Sequence, residues 1–384
     1  MSAKNGLAVS FRARGRTVAC SVALVFALTA MFAATASAKT PPLKETYLAL
    51  GDSLAFGYSA HTFNENLLTG ENPAASEAGY ANDYFNLHNP KAHGLQLVNL
   101  GCPGETTDSL IGNGTLAAAV DPSGESACGY HKAGYPLHHE YGGEKSQLEA
   151  ALEVIATEAA LKTPVTTVSL NIGANDELHT IGACKTEVTE EFVTKGHSKY
   201  GATPEAAVEN CILSHVEGLF THILTNVGTT LFVLREGAKF GGVNYTGKIV
   251  LQGGYDPYGR VYKSASEATA INASFPWMEA RGGEILPNSN ALAGDLNLEE
   301  SGQGKASPYK SLVAALGICY ANPQSRFNAG GNQEWKRLQA WTNMANTTTF
   351  SYLPLKIERH NGPDIHPTAA GYEQLAKVMK TACG

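Results

Sequence analysis

Four short β-prone runs in this chain each close on glycine. Thr46–Leu50 precedes Gly51, Leu95–Leu100 precedes Gly101, Val165–Leu170 leads to Gly173, and Lys248–Gln252 precedes Gly253. Helix-prone stretches lie between them. Strands that alternate with helices build parallel β-α-β units, and so an α/β fold with a central parallel sheet is expected. Sheets of this kind bind ligands beyond the carboxyl ends of their strands. Residues placed just after the runs, Ser53, Gly104 and Asn175 among them, are therefore expected to gather at one edge of the sheet.

The intervening segments are legible to different degrees. Over Glu144–Lys162, Leu148, Leu152, Ile155 and Ala159 fall on one helical face, with Glu149, Glu153 and Glu158 turned away. Thr163-Pro164 ends that helix. Tyr80–His88, Pro204–Glu236 with a break at Gly228, Gln333–Asn346 and Thr368–Thr381 also read as helical, and Thr347–Leu355 reads as a last strand. Residues near 60–79, 105–143, 177–200 and 255–328 read as insertions, the last long and irregular with helical fragments.

The first 38 residues stand apart. Lys4, Arg12, Arg14 and Arg16 form a basic region without an acid, Val18–Ala34 is apolar, and Ala36-Ser37-Ala38 supplies the small-residue pattern of a signal-peptidase site. A cleaved export signal over 1–38 is expected, with a retained anchor as the other reading, and residues 39–384 as one domain. The mature chain would carry 24 basic and 35 acidic side chains, a charge of about −11 with no basic stripe, which argues against nucleic acid as a partner. It has no further run long enough to span a bilayer, and a monomer is expected. Six cysteines remain, an even number that suits disulfides in an exported chain. Nearest-neighbour pairing gives Cys102–Cys128, Cys184–Cys211 and Cys319–Cys383. The zinc alternative lacks any Cys-x-x-Cys spacing, so neither a metal nor a cofactor is expected.

Gly51-Asp52-Ser53-Leu54 mounts one hydroxyl at the end of a strand, where the following helix N-terminus can stabilise negative charge. Alone this is ordinary turn chemistry, with Ser53 a helix cap. A nucleophilic serine needs a base. His366 sits in Asp364-Ile365-His366-Pro367-Thr368, where Pro367 prevents helical continuation and Thr368 can cap the helix behind, leaving the ring on an outward-facing loop edge. Acyl transfer also needs donors for an oxyanion. Gly104 can offer an unobstructed backbone N–H, Asn175 a side-chain amide and Ser53 its own N–H. Read singly, Gly104 is a tight turn, Asn175 a turn asparagine and His366 a surface histidine.

The blocks Leu50-Gly51-Asp52-Ser53-Leu54, Gly101-Cys102-Pro103-Gly104-Glu105-Thr106, Gly173-Ala174-Asn175-Asp176 and Asp364-Ile365-His366-Pro367 together resemble the GDSL, or SGNH, hydrolase family. They span nearly all of the mature chain. The resemblance implies a flavodoxin-like three-layer α/β/α fold and metal-free hydrolysis of esters, thioesters or acyl-carbohydrates, with small-molecule or lipid esters as substrates. It implies Ser53 as nucleophile, His366 as base, and Gly104 and Asn175 as oxyanion donors. The export signal and cysteines resemble the secreted, actinobacterial-type esterase and lipase branch. One position departs from the family pattern: the aspartate that commonly stands three before the histidine is here Pro363. Either Asp364, two before, reaches the imidazole, or a backbone carbonyl near Gly362 or Pro363 orients it; the backbone arrangement is the expected one. A carbohydrate-directed deacetylase of the same fold and a non-catalytic, wall-associated binding module are the other readings. Phe56, Tyr58, Leu110 and Ile111 are candidates for an acyl pocket or for the core.

Overall fold

The sheet that the four glycine-terminated runs imply is present with a fifth strand. The computed structural model describes residues 45–66, 76, 78–89, 94–112, 128, 130, 133–141, 145–263, 289–302, 309–330, 333–346, 349–352, 357–360 and 363–384. The expected export signal lies outside the described residues, as do much of the 105–143 and 255–328 insertions. Strands β1 (Glu45–Gly51), β2 (Leu95–Asn99), β3 (Val165–Asn171), β4 (Lys248–Gln252) and β5 (Ile318–Ala321) are all parallel, in the order β2-β1-β3-β4-β5. This is the doubly wound order of flavodoxin-like folds. The direction of winding reverses between β1 and β3, so a crevice opens at their carboxyl ends.

Alternation along β1 makes the layers. Leu48 and Leu50 point into one core with Val168, Leu170, Ile223 and Leu231, while Tyr47 and Ala49 point into the other with Tyr80, Tyr84, Leu375 and Met379. The first layer is built by α3 (Gln147–Ala160) and α5 (Pro204–Arg235), the second by α2 (Tyr80–His88) and α7 (Ala369–Cys383), with the short α1 (Ser53–Phe56) closing the end of β1. Strands covered on both faces by helices read as continuous apolar runs, which is why they were legible. Ser146 and Glu149 form a reciprocal capping box that starts α3 three residues later than the periodicity suggests.

Several expectations change. Residues 177–200, read as an insertion, are largely helical: α4 runs Ala174–Lys195 and packs along α5, pinned by the Cys184–Cys211 disulfide. Its buried face is narrow, mainly Asp176, Cys184, Val188 and Glu191, so the apolar period is faint. Strand β5 lies inside the 255–328 stretch and is four residues long, too short for a pattern to register. The disulfide Cys319–Cys383 ties it to α7. No break occurs at Gly228, which is buried within α5. The helix expected to Asn346 stops at Trp341, where Thr342–Asn343 becomes β6. The last strand, β7 (Thr349–Tyr352), pairs with β8 (Ile357–His360) in a separate antiparallel ribbon rather than joining the main sheet. Ala159 is exposed while Glu158 turns inward to accept from Thr46, Gln96 and Thr163, because the last turn of α3 overhangs the sheet end. α6 (Ser289–Glu300) completes the elements around the crevice.

Candidate active site

Ser53 is the first residue of α1, directly beyond the carboxyl end of β1. The turn that mounts it is possible only with glycine behind it. Gly51 has φ +133°, and a Cβ there would lie 2.0 Å from the Asn171 carbonyl oxygen of β3. Asp52 caps the helix, its Oδ1 accepting the Leu54 N–H at 2.9 Å. Gln147 grips the same strand end: its Oε1 accepts the Gly51 N–H at 2.6 Å and its amide donates to the Gly51 carbonyl at 3.0 Å.

The histidine arrives from the far end of the chain. Asp364–Pro367 is a short strand, β9, paired antiparallel with β6, and not the free loop edge that Pro367 suggested. Thr368 caps α7 as expected, accepting from Gly371 N–H. Asn343 donates to the carbonyls of His366 and Pro367, and the Tyr255 hydroxyl donates to the Ile365 carbonyl, so the strand is clamped from two directions. His366 Nε2 stands 2.8 Å from Ser53 Oγ across 313 residues of sequence. Its Nδ1 stands 2.5 Å from Asp364 Oδ1. Here the expected backbone arrangement is corrected: among the described residues, the Asp364 carboxylate is what meets the ring. The spacing of two works because β9 curls so that Asp364 Oδ1 also accepts the His366 N–H, while Oδ2 accepts the Ala60 N–H at 2.8 Å.

The glycine block supplies the facing wall. Glu105 N–H donates to the Cys102 carbonyl at 3.1 Å, and Gly104 has φ +81°. A four-residue turn with proline second and a left-handed glycine third has the signature of type II. Cys102–Cys128 anchors this turn from one side, and Pro103 accepts from Tyr130 N–H. With Cys184–Cys211 and Cys319–Cys383, all three disulfides follow nearest-neighbour pairing. Asn175 stands in the first turn of α4 after Gly173, whose φ of +111° sets the entry. Its Nδ2 donates one proton to the Glu105 carbonyl at 2.7 Å and keeps a second for another acceptor. Next to it, Asp176 accepts from both the N–H and hydroxyl of Thr107. Ser53, Gly104, Asn175 and His366 all border one cleft.

The electrostatics favour a charged pair at the ring. Burial acts to raise the Asp364 pKa, but the opposing His366 and the hydrogen bonds it receives bring it below the usual carboxylate value. Burial acts to lower His366, but the Asp364 charge and hydrogen bond, with Asp52 beyond, outweigh it and raise the imidazole. Asp52 itself is pushed to about 7 by burial, against the Leu54 N–H and the His366 charge, and its Oδ2 is buried without a partner. Burial lifts Glu105 to about 8 despite hydrogen bonds from Ser109 and Gln147.

A hydroxyl, an imidazole and a carboxylate in this order are the groups that serine-type acyl transfer uses. Sequence reading missed Gln147, Tyr255, Asn343 and the carboxylate of Glu105. The one available signal was a glutamine opening the apolar face of α3, a position where a buried polar residue needs partners. No family model matches the chain, and no curated protein matches it in sequence. Among solved structures, a gut microbial diltiazem-metabolizing enzyme aligns at 12% identity and TM-score 0.40 over 89% of this chain. This chain spans only 48% of that enzyme's length. A protein described as a GDSL-like lipase from Parabacteroides merdae aligns at 14% identity and TM-score 0.38, over 89% of this chain and 96% of its own. An acetyl xylan esterase from Geobacillus stearothermophilus aligns at 15% identity and TM-score 0.34, over 90% and 97%.

Proposed function

We propose that this chain is an exported serine hydrolase of the GDSL type that cleaves carboxylic esters through an acyl-enzyme. The observation that carries the reading is the continuous line Asp364–His366–Ser53, at 2.5 and 2.8 Å, assembled from opposite ends of the sequence. His366 Nε2 takes the proton of Ser53 Oγ as that oxygen attacks the ester carbonyl. The N–H groups of Ser53 and Gly104 and the second amide proton of Asn175 face the oxygen that becomes negative. His366 then gives the proton to the departing alkoxide. Water enters next and loses a proton to the same nitrogen as its oxygen attacks the acyl carbon; His366 returns that proton to Ser53 Oγ as the acyl–oxygen bond breaks and the acid leaves. Asp364 keeps the ring in the tautomer with the proton on Nδ1 and stabilises the imidazolium formed at each stage. Three disulfides support export, in keeping with the expected signal over 1–38.

The test is a fluorophosphonate probe with peptide mapping, beside turnover of p-nitrophenyl acetate. Labelling at Ser53, and its disappearance together with turnover in Ser53→Ala at an unchanged melting temperature, is the expected result. A native protein that neither labels nor hydrolyses any ester is a binding module instead.

A further inference from the structure

Two spaces open from Ser53, and they differ in kind. One is the less open of the two, about 130 Å³, and runs from Ser53, Asn175 and His366 between α4, α5 and α6. Its walls include Ile172, Ile181, Leu219, Phe220, Leu292 and Leu296, and no described residue lining it is a lysine or arginine. The other is the more open cleft, about 300 Å³, walled by Tyr58, Phe63, Pro103, Tyr130 and Tyr135 on the Gly104 side. Of the four acyl-pocket candidates in the sequence, Phe56, Leu110 and Ile111 are buried in the core, and only Tyr58 borders a cleft, its ring 4.8 Å from that of His366.

We infer that the preferred substrates are esters of uncharged medium-chain fatty acids, with the acyl tail in the less open, apolar pocket and the alcohol in the aromatic cleft. This rests on the ester-hydrolase reading above. The orientation follows from deacylation. Water must take the place at His366 Nε2 that the alcohol has left, while the acyl group is still bound to Ser53. The space vacated by the alcohol therefore has to admit solvent, and the open cleft does. The acyl group is subject to no such demand and can fill the less open, apolar space.

Size sets the chain. A cavity of about 150 Å³ takes a benzene-sized ligand, so this pocket of about 130 Å³ suits a tail of about six carbons or slightly more. An acetyl group would leave most of the apolar wall uncovered. Among the described wall residues no lysine or arginine is placed to meet an anionic acyl group. Three acids line it: burial lifts Glu177 and Glu300 to about 8, and the Asp256 carboxylate accepts from Tyr258 N–H at 2.8 Å and from the Ser289 hydroxyl at 2.7 Å. The Tyr320 hydroxyl donates to Glu300 Oε2 at 3.0 Å, holding that carboxyl against the strand side.

The experiment measures kcat/KM for p-nitrophenyl esters from acetate to palmitate, and for octanoates of alcohols of increasing length, in the wild-type chain and in Leu292→Trp and Tyr135→Ala. The expected wild-type profile rises about fourfold per methylene, the worth of one buried methylene, and turns down slightly beyond about six carbons. Leu292→Trp, at a half-buried wall position, should lower the octanoate-to-acetate ratio at least tenfold. Tyr135→Ala should change the ranking of alcohols and leave the acyl ranking as it was. An acetate optimum in the wild type overturns the inference even if Leu292→Trp does not fold, and so does a Leu292→Trp effect that follows the alcohol instead of the acid. Either result with Ser53 still labelled by fluorophosphonate leaves the hydrolase reading intact, whereas no labelling and no turnover removes both.

Discussion

Replacing Asp364 by asparagine removes one charge while nearly preserving shape, and the consequences can be worked from the geometry. The carboxylate of Asp364 receives the His366 ring at 2.5 Å, the His366 N–H at 3.1 Å and the Ala60 N–H at 2.8 Å. In Asp364→Asn the ring loses the negative partner that outweighs burial, so the His366 pKa should fall from above its ordinary value of about 6.5 to below it. The acid limb of kcat/KM reports the free enzyme's base and should move to lower pH. Activity on its plateau should nonetheless drop by about 10⁴, because the ring loses its tautomer and the stabilisation of the imidazolium. That factor corresponds to ~5.5 kcal/mol of barrier. A charge-assisted hydrogen bond accounts for about 1.5–3 kcal/mol of this, and the remainder is orientation. The assay is p-nitrophenyl ester turnover from pH 4.5 to 9, paired with an NMR titration of the His366 ring. A loss below tenfold with an unmoved acid limb would mean that another acceptor orients the imidazole, and the reasoning from Asp364 would fail.

Four further outcomes follow from the same geometry. Asn175→Ala should cost about 10²–10³ in kcat with little change in KM, as removal of one oxyanion donor does; an equal rise in KM alone would assign Asn175 to ground-state binding. Gly51→Ala should prevent folding or lower the melting temperature steeply, because the new Cβ meets the Asn171 carbonyl at 2.0 Å, and a thermal melt close to wild type would refute that steric reading. Gln147→Ala leaves the buried Gly51 N–H and one Glu105 oxygen without a partner, at about 1–3 kcal/mol each, measurable as a lower urea midpoint at unchanged m-value. Asp52 and Glu105 have folded-state pKa values raised to about 7 and about 8, so the folded chain keeps protons that the unfolded chain releases. Their contribution is complete below about pH 4 and is lost as pH rises toward 8. Glu105→Gln should flatten that decline in a melting-temperature series from pH 4 to 9, and an unaltered slope would contradict the assignment.

The main strands and the helix α3 were readable because burial on two faces, or on one helical stripe, writes an apolar pattern into local sequence. α4 and β5 were not. The buried stripe of α4 is too thin to stand out, and β5 has only four residues, which its neighbours place at the sheet edge. The distinction holds at the candidate site. Ser53, Gly104, Asn175 and His366 could be named from their blocks, since each sits in a short-range turn or cap whose chemistry is local: Gly51 for a left-handed bend, Pro103-Gly104 for a type II turn, Thr368 for a helix start.

The order of residues along the chain thus determined the sheet, its winding and the kinds of side chain delivered to its carboxyl edge. Tertiary structure alone decided that Asp364 faces the imidazole, that Gln147 braces the serine turn, and that one of two spaces beside Ser53 is the less open. Asp364 is held by the Ala60 N–H from 304 residues away, and Gln147 meets Gly51 across 96, so these outcomes depend on angles and distances between remote segments. Packing of many small contacts sets such distances, and no local pattern encodes them.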